Sequence, residues 1–409
     1  MKILIVSQYF WPENFRINDL AKGLLDKGHQ VTVLTGQPNY PNGKFFPGYG
    51  FFKNLKQHHD GIRILRVPLL PRGQGGGIRL FLNYISFALM GSILGPLLCR
   101  GDIDVIFVHE PSPITVGFPA IVLKIIKKAP IIFWVLDLWP ESLSATGSVK
   151  SQMVLSGVRR MAKFIYDRCD KILVQSRGFV FSIMEMGIPH NKIFYFPSWA
   201  EDIYKPLPRN LHSEIPDLPK GFLVMFAGNI GVAQDFPTLL GAAEKLKPHK
   251  NIHWIIIGDG RKFEWVKNQV HGRGLSQNVH LLGRYPLETM PYFFSKAGAL
   301  LVTLKRDPIM SLTIPGKIQS YLASGRPIIA ALDGEGVKVI QEAGAGMTSP
   351  AESMDGLAEI VLKMSEKSPS ELEVMGMKGH EYYNEHFDRF TLFDKLEFWM
   401  LNSNPAKSC

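Results

Sequence analysis

Cysteine is scarce in this chain of 409 residues: Cys99, Cys169 and Cys409 are odd in number, far apart and never in a CxxC spacing. That excludes a disulfide framework and a zinc site and fits a reducing compartment. Minimal catalytic motifs are missing too. Without a GxxxxGK[ST], an HExxH or a GxSxG, P-loop nucleotide hydrolysis, zinc-dependent hydrolysis and an α/β-hydrolase triad all lack their first requirement. There is no low-complexity tract to argue for long disorder. The opening run Met-Lys-Ile-Leu-Ile-Val turns polar at Ser7-Gln8, too early for a secretory signal, and reads as a buried first strand. Basic residues are spread out instead of forming a stripe interleaved with aromatics, so nucleic acid is not an expected partner.

What is present describes a folded protein, with 46% hydrophobic and 20% charged residues. The length suits two domains of about 200 residues each, the size at which single cores stop growing. Charge is shared unevenly. Residues 1–195 hold 23 Lys and Arg against 12 Asp and Glu, a net +11, whereas the rest holds 23 against 24, a net −1. The first half is therefore expected to meet an anionic partner such as phosphate groups or an acidic lipid surface.

Short β-branched runs alternate with amphipathic stretches. Strands are predicted at 3–6, 31–34, 105–108 and 131–135, with a helix over 19–26. The pattern restarts after Pro197 with strands at 222–226, 254–257, 279–282 and 300–304 and a helix over 236–246. Such alternation predicts two doubly wound α/β sheets. Pro206, Pro208, Pro216 and Pro219 place the boundary and a hinge between about Ser198 and Lys220. Helical spacing over 371–401, with Tyr382, Phe387, Phe390, Phe393 and Trp399 as packing anchors, predicts a C-terminal helix that returns to the first domain. The longest apolar stretch, Ile78 to Cys99, nearly suffices to span a bilayer. Asn83, Ser86, two glycines and Pro96 interrupt it, which favours a buried or peripheral helix, with interfacial insertion next and a spanning helix last.

Ligands of open parallel sheets collect beyond the carboxyl ends of the strands. There the first half offers His109-Glu110-Pro111 and Asp137-Leu138-Trp139-Pro140-Glu141. A satisfied structural histidine and helix capping by Asp137 or Glu141 are the plainer readings of these groups. The second half offers Gly228-Asn229-Ile230-Gly231 and Gly258-Asp259-Gly260, neither of which completes GxGxxG, so ordinary turns stay open beside phosphate binding. The strongest feature is Pro315-Gly316-Lys317 through Gly325: a helix framed by proline and glycine, with free amides and a lysine at its start to attract a diphosphate.

Taken together these segments resemble the family-4 glycosyltransferases, retaining enzymes of the GT-B fold, over nearly the whole chain. The resemblance rests on Tyr9-Phe10-Trp11-Pro12-Glu13, Gly28-His29-Gln30-Val31, His109-Glu110-Pro111, Asp137 to Glu141, Phe226 to Gly231 and Pro315 to Gly325. Pro12 to Asp19 and Gln37-Pro38-Asn39-Tyr40-Pro41 are similar to bacterial O-antigen and capsule transferases of the N-acetylfucosamine type. The fold implied is two Rossmann-like domains facing a central cleft: 1–197 on the acceptor side, 198–389 binding the nucleotide sugar, and 390–409 returning. His109 and Glu110 are implied as catalytic. Gly228, Asn229, Gly231, Gly258, Gly260 and Arg284, with Thr313, Gly316, Lys317 and Ser320, are implied to bind the donor. Asn14, Arg16, Asp137 and Glu141 fall on the acceptor side.

The implied reaction moves an N-acetylated deoxyhexose from UDP to a polyprenyl-diphosphate-linked glycan in O-antigen, lipopolysaccharide or capsule biosynthesis. The partners are then a nucleotide sugar, a lipid-linked acceptor and an anionic membrane at whose cytoplasmic face the protein sits peripherally. No cofactor or metal is implied, and the only DxD, Asp102-Ile103-Asp104, precedes its strand. Two departures stand out. The family's paired glutamates fall on Leu312 and Ser320, and Asn14-Phe15-Arg16 replaces the glycines of the first loop. A sugar-nucleotide epimerase of the same architecture and a non-catalytic scaffold are the competing readings.

Overall fold

The computed structural model describes residues 1–73, 76–145, 149, 151–208 and 215–403. Part of the expected hinge, 209–214, and Cys409 lie outside the described residues; Cys99 and Cys169 are buried free thiols. The chain forms two compact units, Met1–Phe196 with the segment from Phe390, and Pro197–Arg389.

The first unit is built on β1 (Lys2–Ser7), β2 (Gln30–Gly36), β3 (Lys56–His59), β4 (Ile62–Val67), β5 (Val105–Glu110), β6 (Ile131–Val135), β7 (Lys171–Val174) and β8 (Ile193–Tyr195). They lie in the order β3-β4-β2-β1-β5-β6-β7-β8. All pairs are parallel except β3 with β4, and β5 and β6 are buried at every position. That is why the central strands read as continuous apolar runs: helices cover both faces of a parallel sheet. The exception was not expected from the sequence. Lys56–His59 is polar, and only Asp60-Gly61, both at positive φ, marks the two-residue hairpin turn that adds it to the edge.

The apolar stretch forms one helix, Gly77–Leu98, lying beside the helix Gly117–Lys127. One side buries Tyr84, Phe87, Ala88, Gly91 and Gly95. Its Asn83 is buried for a reason: the side-chain oxygen accepts from Gln8 Nε2 at 2.7 Å, and Nδ2 donates to the Leu70 carbonyl at 2.6 Å. The polar residue that interrupts the apolar run thus pins the loops after β1 and β4.

The second unit holds β9 (Phe222–Ala227), β10 (Ile252–Ile257), β11 (Val279–Gly283), β12 (Ala299–Thr303), β13 (Ile328–Ala331) and β14 (Gly346–Ser349), all parallel in the doubly wound order β11-β10-β9-β12-β13-β14. Phe226, Leu239, Trp254, Ile256 and Leu301 lie in its core. The expected single helix at the C-terminus is two. Pro369–His386 opens on a capping box of Ser368 and Glu371. Its Gly376 and Gly379 approach Gly325 and Leu322 too closely for larger residues to fit without a shift. Arg389–Leu401 then packs on the first unit, where Lys27 pairs with Glu397 at 2.9 Å and with Asp394, and Trp399 lies 5.3 Å from Phe194. Phe387 and Phe393 are buried as anchors, whereas Phe390 is 64% exposed.

A single buried carboxyl joins two loops at the carboxyl edge of the first sheet. Glu13, after β1, accepts the amides of Asn39 at 2.8 Å and Tyr40 at 2.7 Å through Oε1. Burial pushes Glu13 up to about 7, against the opposing pull of those amides and of Arg66. The folded state therefore keeps a proton that the unfolded chain has released, so this contribution to stability is complete below about 4.5 and is lost as pH rises through about 7. Glu13→Gln keeps an acceptor for both amides and cannot ionise. Urea titrations between pH 5 and 8 should show the variant losing less stability with rising pH than the parent, by on the order of 3 kcal/mol. Identical pH slopes in the two proteins would show that Glu13 is not the titrating group.

Candidate active site

In each sheet the helices leave in opposite directions at the switch point, between β1 and β5 and between β9 and β12. His109 stands at the first of these, opposite Ser7 in the register. Ser7 Oγ donates to the Tyr9 carbonyl at 2.7 Å and lies 2.9 Å from His109 Nδ1. A hydroxyl carries one proton, so the second contact takes its proton from Nδ1–H of the histidine. Burial holds His109 down to about 3, which keeps the ring neutral and leaves Nε2 as a pure acceptor. The Trp134 ring flanks it at 5.7 Å. A neutral imidazole so oriented can accept from a ligand hydroxyl and does not serve as a cation.

Glu110 does not join it. Successive residues of a strand point to opposite faces, so the expected catalytic pair is divided by the sheet itself. Glu110 is wholly buried, and among the described residues only the backbone amides of Leu136 and Asp137 stand near its carboxylate. Burial first, then the Asp137 charge, hold its carboxyl well above the usual range, offset only in part by nearby amides. It is therefore an interior carboxylic acid, not a base or nucleophile presented to a substrate.

The acidic loop after β6 is likewise turned inward. Asp137 Oδ2 accepts from Trp139 Nε1 at 3.1 Å and its other oxygen accepts from Ser142 Oγ, which braces the turn into the helix Glu141–Ala145. Glu141 opens that helix and faces Arg159 at 3.6 Å, with burial raising its carboxyl. These contacts go to side chains, not to the amides of the helix start that the plainer reading, capping, would use. Asn14 is exposed in the loop after β1, and Arg16 begins the helix Arg16–Asp26, whose N-terminus no side chain caps.

In the second unit the two glycine loops interlock. Ile230 N donates to Asp259 O at 2.9 Å and Lys262 N to Ile230 O at 3.0 Å. A Cβ on Gly258 would stand 1.9 Å from the Gly228 carbonyl, and one on Gly260 would stand 2.5 Å from that of Ile230. Gly258 and Gly260 are thus required for the loops to approach each other. The Gly231 amide is taken by Gln234 Oε1 at 3.2 Å, and Asn229 Nδ2 lies 3.5 Å from the same oxygen. Gly228, at φ +133°, has a different role: a Cβ there would come within 2.8 Å of Lys317 Cε, so the glycine clears the lysine's path.

Lys317 is a half-buried charge beside the two glycine loops. It sits at the second position of the helix Gly316–Ala323, whose N-terminus has no side-chain cap, and its Nζ lies 3.4 Å from the centroid of the Phe226 ring. No ion pair among the described residues includes it. Burial pulls its ammonium down to about 7. Beside it a Cβ on Gly316 would meet nothing within 4 Å, so the helix start is open to an incoming group. Of the remaining donor-side candidates, Thr313 Oγ1 donates to Met310 O at 2.9 Å and Ser320 Oγ to Gly316 O at 3.4 Å, while Arg284 is exposed after β11. Sequence reasoning missed Ser7, Glu13 and Asn83, whose partners are too distant along the chain for any local pattern to show.

Residues 14–199 match the glycosyl transferase 4-like domain and residues 221–367 the glycosyl transferases group 1 domain. The chain is 24% identical over 342 residues to the putative colanic acid biosynthesis glycosyl transferase WcaI of Escherichia coli K12, across 80% of this chain and 82% of that one. Among solved structures it is similar to Anabaena Alr3699/HepE in complex with UDP, with a TM-score of 0.71 at 15% identity over 98% of this chain and 100% of that one. Sucrose-phosphate synthase from Thermosynechococcus elongatus is similar at a TM-score of 0.71 and 13% identity, over 98% and 99% of the two chains. With both halves matched in order and both sheets wound as that architecture requires, the chain belongs to the family-4 glycosyltransferases of the GT-B fold.

Proposed function

We propose that this glycosyltransferase moves a sugar, an N-acetylated deoxyhexose, from a UDP donor to a glycan carried on polyprenyl diphosphate, with retention of configuration, in the assembly of a bacterial surface polysaccharide such as O-antigen or capsule. The observation that carries the reading is Lys317: a half-buried cation with no ion pair among the described residues, beside an open helix N-terminus, is completed by a diphosphate. A similar protein, HepE, has been solved with UDP and with UDP-glucose, and WcaI is named for colanic acid biosynthesis. In the reaction the acceptor oxygen bonds to the anomeric carbon as the bond from that carbon to the phosphate oxygen breaks. UDP leaves with the electron pair, and the acceptor's hydroxyl proton passes to the departing oxygen. Lys317 and the amides at Gly316-Lys317 stabilise the charge that builds on the diphosphate, and His109 Nε2 accepts from a donor-sugar hydroxyl. Leu312 and Ser320 stand where the resemblance puts the family's paired glutamates, so on that reading the donor contacts that those carboxylates would make come from other groups here.

Lys317→Ala should weaken UDP binding by about 1.5–3 kcal/mol, the usual range for a hydrogen bond to a charged group. A diphosphate favours the protonated lysine, so at pH 8 the parent should take up a proton from buffer on binding UDP, and affinity should fall as pH rises above about 7. Calorimetry in buffers of different ionisation enthalpy measures both effects. Equal UDP affinity and equal proton uptake in parent and variant would remove Lys317 from the site. Incubation with UDP-sugars, with and without a lipid-linked acceptor, separates a transferase from an epimerase and from a scaffold.

The lipid-linked acceptor also implies a membrane surface on the first unit. The helix Gly77–Leu98 is long and apolar enough to cross a bilayer by length and composition. It turns Ile78, Phe81, Leu89, Ile93 and Leu97 outward, each more than half exposed, and the neighbouring helix adds Ile125 and Ile126. Arg79, Arg100 and Lys128 are exposed at its flanks. Apolar side chains inserted at the interface, joined by about 1 kcal/mol for each basic residue near anionic lipid, suffice for reversible peripheral binding at the cytoplasmic face. The full chain should sediment with anionic liposomes and be partly released by salt, and replacing Phe81, Leu89 and Ile93 by Ser should abolish sedimentation. Salt-independent pelleting with neutral lipid would point to a purely hydrophobic anchor instead.

A further inference from the structure

We propose that the loops beyond the carboxyl ends of β1, β2 and β4 form the subsite for the glycosyl diphosphate head of the acceptor, with Tyr9, Phe15 and Tyr40 supplying ring faces and Arg72 the cation. The proposal rests on the transferase reading above and assigns residues to its acceptor side. Tyr9 and Phe15 stack with centroids 4.9 Å apart at 15°, and Tyr40 closes the group at 5.9 Å from Tyr9 and 5.2 Å from Phe15. Tyr9 is buried and Tyr40 is 39% exposed, so the cluster has a rooted base and an open rim.

Arg72 lies across this group, its guanidinium carbon 5.8 Å from the Tyr9 centroid and 5.1 Å from that of Tyr40. Nη1 donates to Tyr9 Oη at 3.1 Å, which orients the planar fork. A guanidinium carries five donors, and no ion pair among the described residues includes Arg72. The geometry is held from behind. Asn39 Oδ1 accepts the Arg72 backbone amide at 3.0 Å, and Glu13 fastens the amides of Asn39 and Tyr40. Buried polar groups are thus committed to orienting a partly exposed aromatic and cationic surface, an arrangement that packing alone does not require.

The chemistry of the ligand follows from these parts. Ring faces receive the C–H face of a sugar or an isoprenyl segment, and a stacked guanidinium prefers the oxygens of a phosphate to a point anion. The surrounding half of the chain has a net charge of +11, which adds to the pull on an anion. A glycosyl diphosphate on a lipid has both the sugar and the charge.

The test uses the full chain saturated with UDP, so that Lys317 is occupied, and titrates geranyl diphosphate by calorimetry. Binding is expected in the presence of UDP. Arg72→Gln should weaken it at least tenfold, Tyr40→Ala several-fold and Arg72→Lys less than Arg72→Gln, all with UDP affinity unchanged. Photolabelling of the parent with an aryl-azide analogue of geranyl diphosphate serves as a second readout independent of mutation, and should mark peptides containing 9–15, 39–41 or 72. Geranyl diphosphate affinity unaffected by Arg72→Gln, no binding to the UDP-saturated parent, or labelling confined to other peptides each overturns the assignment. Failure of the parent to bind UDP strikes the donor reading instead, and the photolabel then reports on this subsite alone.

Discussion

A parallel strand cannot turn back on its neighbour. Its connection has to cross over a face of the sheet, and nearly everything else in the two units follows from that requirement. Covering both faces with crossovers buries the central strands completely, which explains β5, β6 and β9 without a single exposed position. It also brings the loops that follow the strands to one edge. Where the crossovers diverge, between β1 and β5 and between β9 and β12, the edge is left open. Ser7, His109, Gly228 and Lys317 gather at or beside those two places although they come from segments far apart in the chain.

The same burial sets the chemistry of the ionisable groups. Taking a charge out of water favours whichever protonation state is neutral, so Glu13 and Glu110 move up while His109 and Lys317 move down. Their uses diverge because their surroundings do. Two backbone amides answer Glu13, which makes it a clamp between loops. Glu110 has only the backbone amides of Leu136 and Asp137 beside it, and His109 has a hydroxyl that fixes its tautomer. Lys317 alone stands next to open space at a helix start, where an anion can restore the charge that burial suppresses.

Local pattern was a sound guide wherever the signal was local. The central strands, the helix framed by Pro315 and Gly325 and the glycine-bearing loops are all found close to where their residue types put them. It misled where neighbours in sequence are not neighbours in space. His109 and Glu110 are adjacent and yet divided by the pleat, and in the acidic loop Asp137 braces a turn while one oxygen of Glu141 faces Arg159. Gly258 and Gly260, read from the sequence as ligand-binding glycines, are also required by the approach of two loops.

Composition and periodicity by themselves determined two doubly wound sheets and a basic first half, while the glycosyltransferase architecture was what the resemblance of its motifs to that family implied. The sheets follow because alternating apolar runs and crossovers permit few other folds. Which residues meet was decided only by tertiary structure. Glu13 reaches Asn39, Gln8 reaches Asn83, and Arg72 reaches Tyr9 across 26, 75 and 63 positions. No propensity or spacing rule encodes such pairs, because hydrogen-bond reach is a matter of angstroms in the folded chain, and only the packed sheet and the helix laid across it bring those atoms within it.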